Sequence, residues 1–368
     1  MRKKYVPLAL LGFAVASGPV VCAAQSSVTL YGIVDEGITY SNNQNGHAAF
    51  QMQSGVASAS RWGLRGTEDL GGGTKAIFVL ENGFDPSTGS LGNNGRLFGR
   101  QAYVGLSSSY GSLTMGRQYD AVVDMLARID ASLQWGIYFA HAGDVDNTSG
   151  SVRINNSVKY TSPSLYGITF AGLYSFGGQP GQFSAQSTSS AGVSYTRGPL
   201  YVAAAYLYMK NPLQAGFDGL APKNIIYSAY VPSASSWRVI GTGASYAIGT
   251  VTTGFEFTTT QFAHGFDGAD VNFDNYEANV GWFVRPDVQL GAAFDYTHGK
   301  LDASGAAPNY RAIDLNADYL LSKRTDVYMS GVYMKAGGAA KQAAITYLPA
   351  PSSTQTQIAV RVAIRHRF

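Results

Sequence analysis

The sequence predicts an all-β protein, a single 16-stranded antiparallel β-barrel that spans a membrane. Three observations predict it: an export signal at the amino terminus, polar–apolar alternation with a period of two, and connections that alternate between short and long. Successive side chains of a β-strand point to opposite faces, so a barrel in lipid is apolar outside and polar inside. No run of about twenty apolar residues follows the leader, so helical spans are not expected.

The first 24 residues have the features of a secretory signal peptide. Residues 2–4 are basic, an apolar stretch follows, and the small residues Cys22 and Ala24 fit cleavage after position 24 or one residue earlier. We therefore expect residues 1–24 to be removed on export and residues 25–368 to form one domain. Because Cys22 is the only cysteine, a disulfide is not expected in the exported chain.

The composition is typical of a barrel in a membrane. The chain contains 44 Gly, 24 Tyr and 18 Phe, and only 13% of its residues are charged, against about 25% in soluble domains. The leader takes three of the 26 basic residues, which leaves 23 basic against 23 acidic side chains. This balance lacks the basic footprint of a protein that binds nucleic acid.

Period-two alternation identifies the strands. In AIDLNADYL, for example, Ile313 and Leu315 alternate with Asp314 and Asn316, so the apolar side chains should face lipid and the polar ones water. Aromatic residues often end the apolar faces, as in the interfacial girdles of membrane barrels. The sixteen predicted strands span residues 27–40, 54–66, 74–84, 97–106, 111–118, 151–162, 166–176, 188–197, 200–209, 236–247, 250–260, 273–284, 287–297, 310–320, 325–335 and 354–368.

The connections between these strands alternate in length. Short turns such as SPSL, GP and LSKR alternate with long loops at residues 41–53, 119–150, 210–235 and 336–353. Short turns on one rim and long loops on the other are typical of outer-membrane barrels. A soluble secreted β-sandwich, the main structural alternative, has no reason to sort its loops in this way.

The chain ends in an alternating strand, IAVRVAIRHRF, whose last residue is Phe368. Every backbone polar group must be paired within a bilayer, so the last strand of a barrel must pair with the first. A terminal aromatic residue after alternating apolar residues also matches the signal that the outer-membrane assembly machinery reads. We therefore expect Phe368 to take part in assembly.

Seven stretches carry a resemblance to a known family. They are SSVTLYGIVDEGI, SRWGLRGTEDLGGGTKAIFVLENGF, GRLFGRQAYVGL, YGSLTMGRQYD, NNSVKYTSP, LSKRTDVY and IRHRF. On these stretches, which span the exported chain from end to end, it resembles the general diffusion porins of Gram-negative outer membranes. The resemblance is closest to the anion-selective porins of β-proteobacteria.

The resemblance implies a location, an assembly and a function. It implies a homotrimer in the outer membrane, surrounded by lipid and lipopolysaccharide, with the third loop, about residues 120–150, folded inward to narrow each pore. It implies passive diffusion of ions and small anionic or neutral solutes, without a cofactor. The acidic loop residues Asp120, Asp124 and Asp130 either face the pore or bond to the wall.

Arginines on the wall are the candidate selectivity residues. The pore arginines of the family fall at positions that match Arg61, Arg100 and Arg153, and Arg65 and Arg117 are weaker additions. Arginine is permanently charged and binds anions through a planar fork of donors. A group of arginines in a narrow channel would therefore raise the local anion concentration.

Two observations bear against a uniformly positive channel. The arginines could instead pair with wall carboxylates such as those of Asp35 or Glu81. Acidic residues also lie on predicted inner faces of the later strands, namely Glu277, Asp295, Asp314 and Asp318. Any selectivity for anions is therefore expected to be a local property of the pore.

Other function classes have less support. The five histidines, His47, His141, His264, His298 and His366, stand outside Gly-x-Ser-x-Gly and His-Glu-x-x-His motifs, so an enzyme is not expected. No clustered set of His, Asp and Glu is expected to bind a metal either. A substrate-specific channel, or a surface adhesin or receptor built on the same barrel, stays open as the alternative function.

Overall fold

The protein is described here by a computed structural model that covers residues 26–220, 222 and 225–368. The predicted signal peptide lies outside the described residues. Seventeen β-segments of the described chain form one antiparallel sheet whose first and last segments also pair, so the sheet closes on itself. In the same ranges, no helix has both the length and the apolar character needed to cross a membrane.

The segments follow one another around the wall in chain order. The strands are β1 Ser27–Gln44, β2 His47–Ser54, β3 Arg61–Gly71, β4 Thr74–Gly83, β5 Gln101–Ser108, β6 Gly111–Gln118, β7 Ile154–Thr161, β8 Ile168–Ser175, β9 Thr188–Arg197, β10 Leu200–Lys210, β11 Ser236–Ile248, β12 Val251–Phe266, β13 Ala269–Arg285, β14 Val288–Leu301, β15 Pro308–Leu320, β16 Thr325–Gly338 and β17 Thr356–Arg367. The short helical segments are α1 Gly92–Gly95, α2 Ala121–Leu126, α3 Ala131–Trp135, α4 Pro212–Ala215 and α5 Ile225–Tyr230, with 3₁₀ turns at Ile137–Phe139 and Ala142–Asp144.

Seventeen segments make a barrel of sixteen strands. Both β2 and β3 pair with β1, β3 along residues 27–33 and β2 along residues 36–44. They are therefore two halves of one wall strand, interrupted by residues 55–60. The prediction of a 16-stranded antiparallel barrel is confirmed, and each predicted strand overlaps an observed one.

The predicted long loop at residues 41–53 is wrong. This region forms a hairpin that extends β1 and β2, with a tight turn at Asn45 and Gly46. Both turn residues have positive φ, +53° and +98°, which Asn-Gly pairs adopt readily and which tight hairpins require. The alternation in HAAFQMQS continues the strand up to this turn, so the wall is taller here than predicted.

The barrel closes between β1 and β17, and Phe368 lies at this seam. The backbone N–H of Phe368 donates to the carbonyl of Gly32 at 3.0 Å, and the N–H of Gly32 donates to the carbonyl of Phe368 at 3.1 Å. The aromatic ring covers Gly32, where a Cβ atom would overlap it. The terminal residue is therefore part of the paired wall.

The two faces of the wall differ as the alternation predicts. On β15 the outward side chains of Ile313 and Leu315 are 51% and 59% exposed, whereas Asp314 is fully buried on the other face. Large apolar side chains are exposed in the same alternating way on β1, β5, β13 and β14. An apolar exterior of this kind is covered by lipid in a membrane barrel.

The segment between β6 and β7, residues 119–153, packs against the inner face of the wall, and we call it loop L3. The indole N–H of Trp237 on β11 donates to the carbonyl of Val145 at 3.0 Å. The amide of Asn279 on β13 donates to the carbonyl of Ile129 at 2.7 Å. These side-chain hydrogen bonds hold the backbone of L3 against the inner face of the wall, opposite the exposed apolar face.

Apolar packing holds the same loop. The largest buried cluster joins Val122, Leu126 and Ile129 of L3 to Leu207 and Phe262 on the inner faces of β10 and β12. Burying one large aliphatic side chain stabilises a fold by about 1.5–3 kcal/mol. Part of the barrel interior is therefore a packed core, and the open space is confined to the remainder.

Candidate functional site

Three wall positions bring arginines to one cavity. Arg61 begins β3, Arg100 directly precedes β5, and Arg153 directly precedes β7 at the end of L3. All three line a cavity of about 390 Å³, together with Tyr119 and residues 54–60. The structure thus places the three arginines that the sequence singled out around a common space.

A carboxylate and a phenol connect these side chains. The guanidinium of Arg100 donates to Glu81 Oε1 at 2.8 Å and to Tyr119 Oη at 2.8 Å. Arg153 donates to the same Tyr119 oxygen at 2.8 Å, and Arg61 Nε lies 3.8 Å from Glu81 Oε2. We call these five residues the arginine group.

The arginine group has an excess of positive charge. The group contains three guanidinium groups but one carboxylate, Glu81, which pairs with Arg100 and more loosely with Arg61. The wall-pairing alternative therefore holds only in part, and Arg153 has no carboxylate partner among the described residues. The side chain of Arg61 is the most open of the three, with 25% exposure. Buried charges are weakly screened, so the excess charge acts on the adjoining cavity.

Tyr119 is the member of this group that sequence reasoning missed. Burial raises the pKa of its phenol, but the guanidinium groups of Arg153 and Arg100 outweigh burial and hold that pKa below its ordinary value. The side chain also lies under the guanidinium of Arg153, 4.9 Å from ring centroid to Cζ. A Tyr directly after the strand that ends at Gln118 gives no local signal of this role.

The two weaker candidates lie beside the group rather than in it. Arg65 lies over the ring of Tyr31, with 5.4 Å between Cζ and the ring centroid. Arg117 donates to the backbone carbonyl of Gly99 at 2.8 Å and to the side chain of Asn155 at 2.5 Å. The register of the β6–β7 pair shifts between Gly116 and Gln118, so Arg117 lies at an irregularity of the wall.

Two of the three acidic loop residues are helix caps. Asp120 is fully buried, caps α2 through the N–H of Val122 at 2.7 Å and accepts from the amide of Asn147 at 2.7 Å. Asp130 is also fully buried and caps α3 through the N–H of Ser132 at 2.6 Å. Carboxylates stabilise helices at this position because they satisfy N–H groups that lack intrahelical partners.

The third acidic loop residue faces open space. Asp124 pairs with Lys159 Nζ at 2.7 Å, and 28% of its side chain is exposed. It lines a second cavity, of about 400 Å³, between L3 and strands β4–β9.

Burial raises the pKa of the capping Asp120 to about 6, which agrees with a structural role for that carboxyl group.

A second charged cluster lies between L3 and the wall, and the sequence did not predict it. His141 Nδ1 lies 2.6 Å from Asp146 Oδ2, and His141 Nε2 lies 3.6 Å from Glu277 and 3.8 Å from Asp295. Burial lowers the pKa of His141, but Asp146, Asp295 and Glu277 outweigh burial and hold that pKa well above its usual range. Side chains of His, Asp and Glu that are far apart in the sequence therefore meet here, although no clustered set of them was expected from the sequence as a metal site.

The signal for this cluster was partly available. Period-two parity alone places Glu256, Glu277, Asp295 and Asp314 on the inner faces of consecutive strands. The missing information was the path of L3, which carries His141 from a position far away in the chain to those carboxylates. Side-chain alternation fixes faces, but it does not determine which loop covers them.

Proteins similar to this chain are porins. The sequence profile of the Gram-negative porin family matches residues 8–339. The chain is 33% identical, over 415 aligned residues and 100% of both chains, to an outer membrane porin protein of Bordetella pertussis. Among solved structures, the anion-selective porin from Comamonas acidovorans superposes with a TM-score of 0.76 at 26% identity and covers 94% of this chain and 100% of that one.

A more distant structure shares the fold. The trimer form of OmpT, an outer membrane protein of Vibrio cholerae, superposes with a TM-score of 0.71 at 16% identity and covers 93% of this chain and 99% of that chain. The family profile covers most of the sequence, and the Bordetella relative aligns along its full length. The closed barrel, its apolar exterior and these similarities together show that the chain belongs to the family of Gram-negative porins, channels of the outer membrane.

Proposed function

We propose that this porin is a general diffusion channel that prefers anions, and that the arginine group produces the preference. The observation that carries the proposal is the imbalance of three guanidinium groups over one carboxylate at a single cavity. The likeness to a porin that is itself anion-selective supports it. The solutes are ions and small hydrophilic molecules, neutral or anionic.

L3 makes this charge effective. Its helices and turns occupy part of the lumen, so solutes pass between the loop and the strands that carry the arginines. In a gap comparable to the Debye length, which is about 10 Å at 0.1 M salt, fixed charges act on every passing ion. L3 therefore serves as the constriction loop, with Asp124 as its exposed acidic side chain.

The inner acidic residues do not cancel this preference. Asp35 pairs with Arg361 at 3.3 Å, and Asp318 pairs with Arg365 at 3.0 Å. The His141 cluster is buried beneath L3 and has no open path to the solute in the way that Arg61 has. The net field at the constriction is therefore set by the arginine group.

The protein is also proposed to assemble as a homotrimer in contact with lipid and lipopolysaccharide. The Vibrio cholerae barrel of the same fold exists in a trimer form. Exposed apolar side chains such as Leu30, Phe50 and Met52 on β1 and β2 supply a surface for lipid or for a neighbouring barrel. Chemical cross-linking in native outer membranes should give a trimer band that is absent when the membranes are boiled before cross-linking.

We infer no enzymatic activity, because the family and the compared proteins are channels. A lipid-hydrolysis assay on purified protein should give the rate of the empty detergent control. Hydrolysis that copurifies with the barrel would contradict the inference.

The wild-type selectivity gives the direct test of function. The protein is reconstituted into a planar bilayer, and the zero-current potential is measured in a tenfold KCl gradient. The sign should correspond to a larger permeability for chloride than for potassium. A potential near zero, or one of the opposite sign, would leave a general channel without anion preference.

A further inference from the structure

The buried cluster beneath L3 has a charge balance that the channel function does not explain. We call five residues the His141 pocket: His141 and Asp130 of L3, Glu256 of β12, Glu277 of β13 and Asp295 of β14. Each is at most 3% exposed. Within the described part of the chain, their ion pairs involve only His141, and no Lys or Arg reaches these four carboxylates. Burying an ion without a counter-ion costs several kcal/mol.

The imidazole of His141 is oriented by a carboxylate outside the pocket. The Nδ1 atom lies 2.6 Å from Asp146 Oδ2, and Asp146 is itself held by the hydroxyl of Thr258 and by the amide of Asn275. When a metal ion displaces the proton of Nε2, the ring keeps its Nδ1 proton against Asp146 and presents the lone pair of Nε2 to the pocket. A carboxylate behind the ring is the arrangement that orients metal-binding histidines in proteins.

The atoms opposite Nε2 stand at the spacing of ligands. Nε2 lies 3.6 Å from Glu277 Oε2 and 3.8 Å from Asp295 Oδ1, too far for hydrogen bonds. Two ligands of a tetrahedral ion with bonds of about 2.1 Å are about 3.4 Å apart. Ligand atoms of His141, Glu277 and Asp295 all fall within 4.8 Å of one another, as do those of Asp130, His141 and Glu256.

Several buried atoms here have no donor directed at them. His141 Nε2, Asp130 Oδ2 and both oxygens of Glu256 lack a hydrogen-bond partner among the residues that the structure describes, and Asp295 adjoins another buried carboxyl group, that of Asp314. Buried polar atoms are nearly always paired, and each exception needs an explanation. Here the exceptions belong to two groups of possible ligands that both contain His141, and a cation beside His141 would satisfy them.

We propose that the His141 pocket binds one divalent first-row metal ion, with Zn²⁺ as the best fit, through His141 Nε2, Glu277, Asp295 and Glu256. The mixed set of imidazole and carboxylate ligands matches Zn²⁺, whereas Ca²⁺ takes oxygen ligands in larger number. Asp146 acts as a positioning residue for the imidazole.

The ion would join L3 to the barrel wall. His141 is on the loop, and the other ligands lie on three consecutive strands, β12, β13 and β14. L3 also contacts the wall directly at this pocket, because the backbone N–H of Ala131 donates to Glu277 Oε1 at 3.0 Å. The site is separate from the arginine group and does not depend on the proposed anion preference.

Zinc binding to the intact protein tests the proposal. Full-length exported protein, folded in detergent, is treated with a chelator and dialysed into metal-free buffer. Equilibrium dialysis against ZnCl₂ followed by metal analysis should then show one saturable Zn²⁺ per chain, and CaCl₂ at equal concentration should not displace it. The thermal midpoint of the barrel should rise in Zn²⁺, because a ligand that binds only the folded state stabilises it.

Variants locate the ion. His141→Gln and Glu256→Gln should weaken binding at least a hundredfold, and Asp146→Asn should weaken it about 10–100-fold, the range for residues that orient a ligand. His298→Gln, a histidine on the outer face of the same strand β14, should bind as the wild type does. Folding of each variant is checked by heat-modifiable gel mobility, and if His141→Gln fails to fold, Glu256→Gln decides.

Two results would overturn the proposal. Wild-type protein that takes up no Zn²⁺ at millimolar concentration would mean that protons alone neutralise the pocket. Binding that is unchanged in the folded Glu256→Gln and His141→Gln proteins would place the ion elsewhere on the barrel.

Discussion

At the scale of single residues, Tyr119 controls the charge of the arginine group. Its phenol oxygen accepts from both Arg100 and Arg153, and this double donation favours the phenolate. A neutral phenol leaves three positive charges against one negative charge. Loss of the phenol proton adds a second negative charge and reduces the excess by half.

The anion preference should therefore fall as pH rises. The pKa of Tyr119 lies below its ordinary value of about 10, so its phenolate forms at a lower pH than that of a free tyrosine. Zero-current potentials measured in a tenfold KCl gradient from about pH 7 to pH 10 should decrease in the wild type. Tyr119→Phe should remove most of this decrease, and a wild-type potential that is flat with pH would contradict this role of Tyr119.

At the scale of the element, each strand presents one face to lipid and one to the lumen. Lys in place of Leu315, which is 59% exposed on the outer face of β15, should destabilise the barrel by about 2–4 kcal/mol if it lies near mid-membrane. Gln289→Lys, on the inner face of β14 opposite Asp318 in register, is the matched control and should change stability by less than about 1 kcal/mol. Urea unfolding in lipid vesicles measures both, and equal losses would mean that the two faces are wrongly assigned.

Asn316, on the inner face of β15, is less open to water than alternation predicts. Period two places its side chain on the water-filled side of the wall, but the residue is only 7% exposed. It lies on the same face as the buried Asp314, so an added carboxylate there would meet like charge. Packing of the interior, rather than parity, decides which inner residues are wet.

The closing strand β17 gives a second prediction at this scale. Deleting Phe368 removes two backbone hydrogen bonds to Gly32, each worth about 1 kcal/mol, and the ring that covers this glycine. Export should continue while the amount of heat-modifiable barrel in the outer membrane falls. Phe368→Tyr, which keeps the backbone pairing and an aromatic ring, should assemble normally, and full assembly of the deletion variant would show that the terminal residue is dispensable.

At the scale of the whole molecule, the strands of the barrel wall were predictable from the sequence, whereas the packing of segments inside the barrel was not. Sixteen strands followed from period two because pairing between chain neighbours makes the barrel a local structure. The arginine trio followed from the family resemblance, and the structure places it around one cavity. The polar–apolar alternation alone places many other residues on the inner face and does not single out these three arginines.

The interior required contacts between distant segments. The side chains around His141 come from L3 and three later strands, and His141 and Glu277 are 136 positions apart in the sequence. Asp120 and Asp130 were candidates for the pore, yet each caps a short helix that became visible only once L3 was folded. The conformation of L3 depends on the inner wall surface against which it packs. The pattern of polar and apolar residues along the loop does not identify that surface.

The central claim is that the arginine group makes this porin prefer anions, and Arg61→Glu tests it most directly. Arg61 is the most exposed of the three arginines, and the substitution changes the local charge by two units, which cancels the excess. Arg324→Glu, in the turn before β16, makes the same change of charge away from the arginine group and serves as the control. In zero-current measurements in a tenfold KCl gradient, Arg61→Glu should lose most of the wild-type potential, Arg61→Gln should lose less, and Arg324→Glu should keep it. An Arg61→Glu channel that is folded, conducting and unchanged in potential would contradict the account.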